Sequence, residues 1–462
     1  MGGRLTALLL RNVEVEGRRL DVRLAEGRVA EIGTDLAAER HEIHGRGGAL
    51  IPGLIDHHIH LHATAAAGES VRLDGAADAG AIAAMLRAAA ARRPGRWLRA
   101  TGFHEHRGGS LDRAVLDRIV PDTPVRVQHQ TGSVWLLNSV AWEMLDLSDA
   151  PRGVDPHSGR IERADDWLRT QLGGIAPDLA PLGRDLAAFG VTGVTDASVG
   201  NDDRVAALFA DAQASGALPQ RIMMMGGGRF TFVPSARLMV GPVKIILDDH
   251  DLPPLSALID RIGDARRWNR AVAVHCVTAG ELALALAAFE EAGARPGDRI
   301  EHGGVIPESA IAVLAALGLR VVTQSAFVFE RGDRYLAEVD ADEQRDLYRC
   351  ASLVRAGIRV GGSSDAPYAT PDPWQAMRAA TERRTLIGRS IAGDEAVDPR
   401  NALELYLGDF DDPGGPPRRV AVGAVADLCL LNEPLAPALE TLSAATVAAT
   451  IIAGRVAYDG GN

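Results

Sequence analysis

Hydrophobic residues along the middle of the chain fall into short, largely β-branched runs that return at intervals. Most intervals hold a stretch rich in Ala, Leu, Arg and Glu with helical periodicity, as at 279–294. The eight runs occupy residues 49–62, 191–197, 221–225, 242–247, 271–276, 299–302, 319–324 and 358–365. Apolar strands that alternate with helices are typical of parallel sheets, and eight such units predict an α/β fold built on a (β/α)8 TIM barrel. A doubly wound sheet is the alternative, but the chain lacks the glycine fingerprint of that fold.

The two ends of the chain have a different pattern, with short alternating strands that break at glycine. Residues 1–50 and 415–462 share this pattern, and chain termini often lie close together. We therefore expect one small β-sandwich domain made from both ends, with the barrel between them at 51–414. Roughly 130 residues separate the first two barrel runs, far more than a structureless loop usually has. This interval predicts an inserted subdomain at about 64–185, placed over the barrel mouth.

Composition excludes several classes of protein. The 462 residues carry a net charge of −12 without a basic block, so an electrostatic nucleic-acid interface is not expected. No run approaches the roughly 20 apolar residues of a membrane span, and the start lacks the pattern of a signal peptide. The three cysteines are far apart, which favours the reducing cytoplasm. We expect a small-molecule substrate and no nucleic-acid or membrane partner. A homodimer is the candidate assembly.

Candidate metal ligands lie at the ends of the predicted barrel strands. His58 and His60 are two residues apart, so both side chains face the same side of the first strand, where two imidazoles can bind one metal ion. His275, His302 and Asp365 each end a later run. Active sites of TIM barrels are built at these carboxyl-terminal strand ends, so the set predicts a metal site.

Lys244 interrupts the apolar fourth run, where a buried ammonium group is costly. One interpretation is a structural lysine paired with Asp248 or Asp249. The other is a lysine that has lost its charge through modification and serves as a metal ligand. The residues alone leave both open.

The order of these motifs resembles the amidohydrolase superfamily. The residues that carry the resemblance are Ile51-Pro52-Gly53-Leu54-Ile55-Asp56, the His-x-His pair, the strand lysine, IEH at 300–302 and SDAP at 364–367. The YtcJ-like branch, which includes N-substituted formamide deformylases, is the most similar, and the likeness covers nearly the whole chain. Two loops depart from this branch, because residues 248–254 replace a DGSLGS-like turn and residues 275–281 replace a HAIGD-like segment.

The resemblance implies a centre of two divalent metal ions, for which zinc is expected. The implied ligands are His58, His60 and Asp365 for the first ion, His275 and His302 for the second, and Lys244 as a carbamate, formed with CO2, that bridges both. The implied activity is hydrolysis of a linear or cyclic C–N amide-type bond through a metal-bridging hydroxide, with Asp365 as general acid and base. A second hypothesis keeps the same centre but changes the cleaved bond to that of a lactone, a carbamate or a phosphoester. A third hypothesis is a non-catalytic amidohydrolase-like scaffold, but such a protein is expected to lose ligands that this chain keeps.

Five further residues are candidate substrate contacts, namely His62, His104, His129, Gln324 and Trp374. His62 shares the side of His60 if the first strand continues. His104 lies in a second His-x-His pair within the predicted insertion, where a solvated loop is the alternative. Trp374 is either a pocket wall or ordinary packing.

Overall fold

The structure is a computed structural model that describes residues 7–92, 95–131, 133–172 and 176–461. The chain forms two compact units. The first comprises residues up to Thr64 together with those from Leu179 onward, and it contains the barrel and the sandwich. The second comprises Ala65–Asp178, a segment inserted after the first barrel strand.

Eight parallel strands form the barrel, and each pairs with the next barrel strand along the chain. In order, the strands are Leu54–Ile59, Val191–Asp196, Arg221–Gly226, Leu238–Ile245, Val272–Cys276, Arg299–His302, Arg320–Thr323 and Val360–Gly362. Backbone hydrogen bonds join the first strand to the segment that follows the eighth strand. The Asp365 N–H donates to the His58 carbonyl at 2.7 Å, and the His60 N–H donates to the Ala366 carbonyl at 2.9 Å. The predicted TIM barrel is confirmed, with a strand in each of the eight runs.

A helix follows every barrel strand except the third. The helix Leu61–Gly68 spans the start of the insertion. The α-helices outside the insertion are Ala180–Ala188, Asp203–Ser215, Leu255–Arg267, Ala279–Ala292, Glu308–Leu317, Ala326–Glu338, Ala351–Arg355, Pro373–Glu382, Pro399–Glu404 and Leu435–Thr441, with 3₁₀ helices at Gln344–Asp346, Gly393–Glu395 and Ala444–Thr446. The connection after the third strand contains Gly227, Gly228 and Pro234. Glycine and proline oppose helix formation, which explains the exception.

A capping box fixes the chain just after the fifth strand. The Thr278 side chain accepts the N–H of Glu281 at 3.2 Å, while the Glu281 carboxylate accepts the N–H groups of Val277 and Thr278 at 2.6 and 3.1 Å. Loss of such a cap costs about 1 kcal/mol. The box therefore sets the conformation of the residues that directly follow His275 and its strand.

The two chain ends form a β-sandwich of two four-stranded sheets. The first sheet consists of Leu8–Val15, Arg18–Ala25, Arg28–Gly33 and His41–His44, and the second of Leu50–Pro52, Leu428–Leu431, Val447–Ile452 and Arg455–Asp459. Both sheets contribute to one buried apolar core, with Leu10 and Val22 from the first and Leu430 and Ile451 from the second. The predicted sandwich built from both ends is thus present.

The inserted unit contains a six-stranded mixed sheet and short helices that share its apolar core. Its strands are Val71–Arg72, Leu98–Phe103, Val125–His129, Val134–Leu137, Val154–Asp155 and Arg160–Glu162, and its helices are Ala79–Arg92, Glu105–Gly108, Arg113–Ile119, Ser139–Trp142 and Asp165–Gln171. In the part of the chain that the structure describes, no helix has both the length and the apolar character needed to cross a bilayer.

Candidate metal centre

A buried carboxylate ties the end of the first barrel strand to the loop after the eighth. Asp56 Oδ1 accepts the backbone N–H groups of Ser364 at 3.0 Å and His58 at 3.1 Å, and its Oδ2 accepts the Ser364 hydroxyl at 2.5 Å. Burial raises the pKa of the Asp56 carboxyl to about 6, against the effect of these hydrogen bonds. The arrangement sets His58 and Asp365 side by side at the carboxyl-terminal end of the barrel.

Three candidate ligands converge at this end. Nε2 of His58 lies 3.4 Å, and Nε2 of His60 3.2 Å, from Oδ1 of Asp365. The three residues offer ligand atoms that all lie within 4.8 Å of one another. Imidazole nitrogens combined with a carboxylate oxygen are a donor set that Zn²⁺ and similar divalent ions bind.

The protonation of His58 leaves its inner nitrogen available. Burial lowers the pKa of His58 well below its ordinary value, so the ring is neutral. Its Nδ1 donates a hydrogen bond to the Glu301 carboxylate, so Nε2 keeps its lone pair. That lone pair faces an acceptor oxygen of Asp365, and a cation between the two atoms would stabilise the arrangement.

The neighbouring rings are held in the same way. Nδ1 of His302 donates to the Oε1 carbonyl of Gln324 at 2.8 Å, which leaves Nε2 of His302 free to bind a metal. Nδ1 of His60 lies 3.0 Å from the Ser198 hydroxyl. Each ring is therefore oriented by a partner on its outer nitrogen.

His275 and His302 extend the cluster. Their ring centroids are 4.4 Å apart, and the His302 centroid lies 4.8 Å from that of His58. Burial lowers the pKa of His275 to about 4 and that of His302 well below its ordinary value. Both rings are neutral near pH 7, which is the form that binds metal ions.

Two of the candidate ligands have a left-handed backbone, with φ of +68° at His302 and +53° at Asp365. Side chains alternate across a strand, and Glu301, which pairs with His275, already points into the cluster. The left-handed φ turns the His302 side chain so that two consecutive residues both reach the cluster. Such a conformation costs about 1–3 kcal/mol for a residue other than glycine, and it concentrates at functional sites.

Lys244 reaches the cluster from the fourth strand, and it is the only lysine in the sequence. It is 2 % exposed, and burial lowers the pKa of its ammonium group while the charges of Glu301 and Asp365 oppose this shift. All other residues of Lys or Arg type are arginines, whose guanidinium groups remain charged at neutral pH. This position therefore holds the one side-chain amine of the protein in a buried, acid-lined setting.

Several buried polar atoms of the cluster lack a hydrogen-bond partner among the described residues. They are Nζ of Lys244, Nε2 of His58 and Oδ1 of Asp365. An unpartnered buried polar group costs about 1–3 kcal/mol, more when it is charged. Because all three are of ligand type and Nε2 of His58 lies 3.4 Å from Oδ1 of Asp365, the donor set fits divalent cations.

The structure adds a buried ion pair that sequence analysis did not single out. Glu301 is fully buried and contacts His58 through one carboxylate oxygen and Arg299 through the other. Arg299 also donates to the carbonyl of His57 at 3.1 Å. The signal in the sequence is an Arg and a Glu two residues apart in a short apolar strand, where both side chains face one side and unpaired burial would be costly.

Within the barrel unit, Gln324 is a proposed substrate contact that touches a candidate ligand. Besides its bond to His302, its amide donates to the Ser363 hydroxyl at 2.9 Å. Gln324 is fully buried. The geometry therefore makes it a residue that orients a candidate ligand.

His62 and Trp374 lie elsewhere. The first strand ends at Ile59 and a helix begins at Leu61, so His62 turns away and its ring lies 5.0 Å from the ring of Phe209. Trp374 is 1 % exposed, and its Nε1 donates to the Phe189 carbonyl at 2.9 Å. Neither of these contacts involves a candidate ligand.

His104 and His129 belong to the inserted unit, where they form a separate cluster with Glu105. The Glu105 carboxylate lies 3.1 Å from Nε2 of His129 and 3.9 Å from Nδ1 of His104. Nδ1 of His104 accepts the N–H of His106 at 3.0 Å, and the two rings stack with centroids 5.1 Å apart. Since that nitrogen caps a short helix, these contacts hold the end of a strand against the start of that helix.

Comparison with known proteins bears on the identity of the chain. A profile described as the amidohydrolase family matches residues 42–458. An N-substituted formamide deformylase of Arthrobacter pascens is 24% identical over 518 residues, covering 95% of this chain and 94% of that protein. The amidohydrolase YtcJ of Bacillus subtilis (strain 168) is 23% identical over 489 residues and covers 91% of each chain.

The solved structures agree on the fold. An uncharacterized metal-dependent hydrolase from Pyrococcus horikoshii OT3 has a TM-score of 0.76 at 21% identity, covering 93% of this chain and 98% of that one. The resemblance that the sequence motifs indicated is confirmed. Because the family profile spans most of its length, the chain belongs to the amidohydrolase family.

Proposed function

We propose that the protein is a metal-dependent hydrolase of C–N amide-type bonds, linear or cyclic, other than peptide bonds. The observation that carries the proposal is the convergence of His58 Nε2 and His60 Nε2 on Asp365 Oδ1 at the carboxyl-terminal end of the barrel. The Arthrobacter pascens relative is named for deformylation of N-substituted formamides, which supports an amide as the cleaved bond.

We assign two divalent ions, zinc by preference, to six ligands, namely His58, His60, Lys244, His275, His302 and Asp365. The orphaned buried atoms of this set support the assignment. Lys244 would act as a carbamate. Its neutral amine would attack the carbon of CO2, so that an N–C bond forms while one C–O π bond opens and one proton leaves the nitrogen, and an anionic oxygen ligand would replace the buried amine.

A divalent metal ion held by these ligands would lower the pKa of water from about 15.7 to about 7 and would polarise the substrate carbonyl. The carboxylate of Asp365 accepts the proton of the attacking water and then delivers it to the leaving nitrogen, because it lies where the ligands converge. Glu301 and Gln324 hold the His58 and His302 rings in place during these transfers. The roles of the side chains thus divide into ligation, proton transfer and orientation.

We also assign the enzyme to the cytoplasm, with a small molecule as its substrate. Cys276, Cys350 and Cys429 are buried free thiols, and burial raises the pKa of each. Protonated, inaccessible thiols are inert near neutral pH. Buried free thiols suit a reducing compartment.

Elemental analysis of the purified protein, combined with an activity screen, tests the proposal. We expect about two divalent ions per chain, since six ligands exceed one tetrahedral site, and turnover of N-acyl amines, N-acyl amino acids or cyclic amides. A metal content of zero after growth with added metal would contradict the proposal. Turnover confined to lactones, carbamates or phosphoesters would show that the enzyme cleaves one of those bonds and not an amide. Full metal loading without turnover of any compound would favour the non-catalytic scaffold.

The single lysine makes the carbamate directly observable. Protein equilibrated with ¹³C-labelled bicarbonate should show one carbamate signal by ¹³C NMR that is missing from Lys244→Arg. The absence of this signal from the wild-type spectrum would contradict the carbamate and would favour a structural role for Lys244.

A further inference from the structure

Four large apolar residues at the carboxyl-terminal end of the barrel, where the candidate ligands lie, are open to solvent. Val199, Ile246, Val277 and Tyr368 are 38, 47, 37 and 57 % exposed. They follow the second, fourth, fifth and eighth barrel strands at their carboxyl-terminal ends. Single exposed apolar residues are ordinary, but a group around one polar cluster marks a binding surface. We call these four residues the apolar collar.

Two collar residues directly follow barrel strands that carry candidate ligands. Ile246 comes immediately after the fourth strand, two residues beyond Lys244, and Val277 comes immediately after the fifth, two residues beyond His275. Ile245 pairs with Val274 across the two strands. Both residues therefore leave the barrel at the end where the candidate ligands lie.

The other two collar residues adjoin His60. The ring of Tyr368 stands perpendicular to that of His60, with centroids 5.9 Å apart. Val199 directly follows Ser198, whose hydroxyl lies 3.0 Å from Nδ1 of His60. The collar thus approaches the cluster from two sides.

The loop that follows Ile246 is acidic. Asp248, Asp249 and Asp251 are all exposed. Asp249 accepts a hydrogen bond from the Thr278 hydroxyl at 3.0 Å, so the loop lies beside Val277 of the collar. A substrate that carried a carboxylate over the collar would meet like charges in this loop.

We propose that the apolar collar binds an apolar, uncharged substituent of the amide substrate and that the acidic loop selects against a carboxylate beside the scissile bond. The inference rests on the proposed amide hydrolysis and names its substrate class. Ligand pockets combine apolar walls with a few polar groups that fix orientation, which is the arrangement found here.

Two substrate pairs test the proposal on the metal-loaded enzyme. For N-benzylacetamide against acetamide, we expect kcat/KM to rise about 100-fold, since one methylene in an apolar pocket is worth about 10–200-fold. For N-acetylphenethylamine against N-acetylphenylalanine, which differ only by the carboxylate, we expect about a tenfold preference for the neutral compound. Ratios near one for both pairs would overturn the proposal.

Matched variants assign the preferences to named residues. Ile246→Ser should lower the kcat/KM ratio of N-benzylacetamide to acetamide about tenfold. Ile387→Ser, at an isoleucine in another loop that is 71 % exposed, should leave this ratio unchanged. Asp248→Asn should reduce the preference for N-acetylphenethylamine over N-acetylphenylalanine. Equal effects of Ile246→Ser and Ile387→Ser would overturn the role of the collar.

Failure of the proposed function would be visible separately. If the metal-loaded enzyme hydrolyses none of the four amides, calorimetric binding of N-benzylacetamide to the same variants tests the collar alone. Weaker binding by Ile246→Ser than by Ile387→Ser would sustain the apolar subsite, and equal binding would overturn it.

Discussion

Glu301 accepts a hydrogen bond from Nδ1 of His58, and Arg299 holds the other oxygen of the same carboxylate. A carboxylate on the outer nitrogen fixes the tautomer and the plane of a ligand imidazole and makes its inner nitrogen more basic. The pair explains why a charged side chain is buried beneath the cluster, in the strand that also carries His302.

Glu301→Gln should lower metal affinity about 10–100-fold, because the amide keeps an acceptor for Nδ1 but loses the charge. It should also destabilise the fold by about 3–5 kcal/mol, since Arg299 is left buried without its partner. Competition with a chelator measures the first effect and denaturant unfolding the second. Glu338→Gln, which touches only an exposed pair with Arg334, is the control. Metal affinity equal to that of the control would refute the role of Glu301.

Lys244→Ala should abolish turnover and reduce the metal content, because the bridging ligand is removed. Acetate added to the variant should restore part of both by supplying a carboxylate to the space left by the side chain. The measurement is metal content and initial rate on one preparation, with and without acetate. A fully active variant with normal metal content would show that Lys244 is only structural.

Asp365→Asn should separate ligation from proton transfer. Asparagine keeps the size and a carbonyl ligand but cannot carry the proton, so we expect metal to be largely retained while kcat falls about 10²–10⁴-fold. Metal content and turnover must be measured on the same sample, because a displaced ion would also slow the reaction. Normal kcat with both ions present would assign proton transfer to another group.

Glu395 should contribute to acid sensitivity of the barrel unit. Burial would raise its pKa, but hydrogen bonds from Ser352, the charge of Arg349 and the N–H of Cys350 outweigh burial and lower it. A carboxyl whose pKa is lowered in the folded state stabilises that state at pH values above its pKa in the unfolded chain, which is about 4.3. This stabilisation is lost as the pH falls below that value.

Glu395→Gln should therefore cost about 1–3 kcal/mol at pH 7 and progressively less as pH falls below about 4. Urea unfolding at several pH values measures this. Glu440→Gln, at an exposed position, is the control. A penalty that does not change with pH would mean that the charge of Glu395 does not contribute.

The strand pattern was readable because barrel strands are buried on both faces. Runs such as 299–302 and 191–197 stand out as short apolar segments, and they became strands at nearly the same residues. The third connection was less readable, because a glycine-rich crossover without a helix has no periodic pattern. The end of the first strand was also misjudged, since an apolar Leu61 continues the pattern while the chain turns into a helix.

The candidate ligands could be named because they are ligand-type residues at strand ends, and their roles remain predictions. Glu301 could not be found by the same rule. If His302 faces the cluster, strict alternation turns Glu301 away from it, and only the left-handed φ of His302 allows both. Backbone strain of this kind leaves no trace in the hydrophobic pattern.

A single, buried lysine has a practical consequence. An amine-specific reagent cannot modify any lysine on the surface of the folded enzyme, because Lys244 is the only one and is 2 % exposed. Modification at residue 244 therefore reports access to the candidate metal centre, because the amine can react only while it is neither carbamylated nor covered by a ligand. The chain thus carries an internal reporter of the state of that lysine that needs no added label or engineered residue.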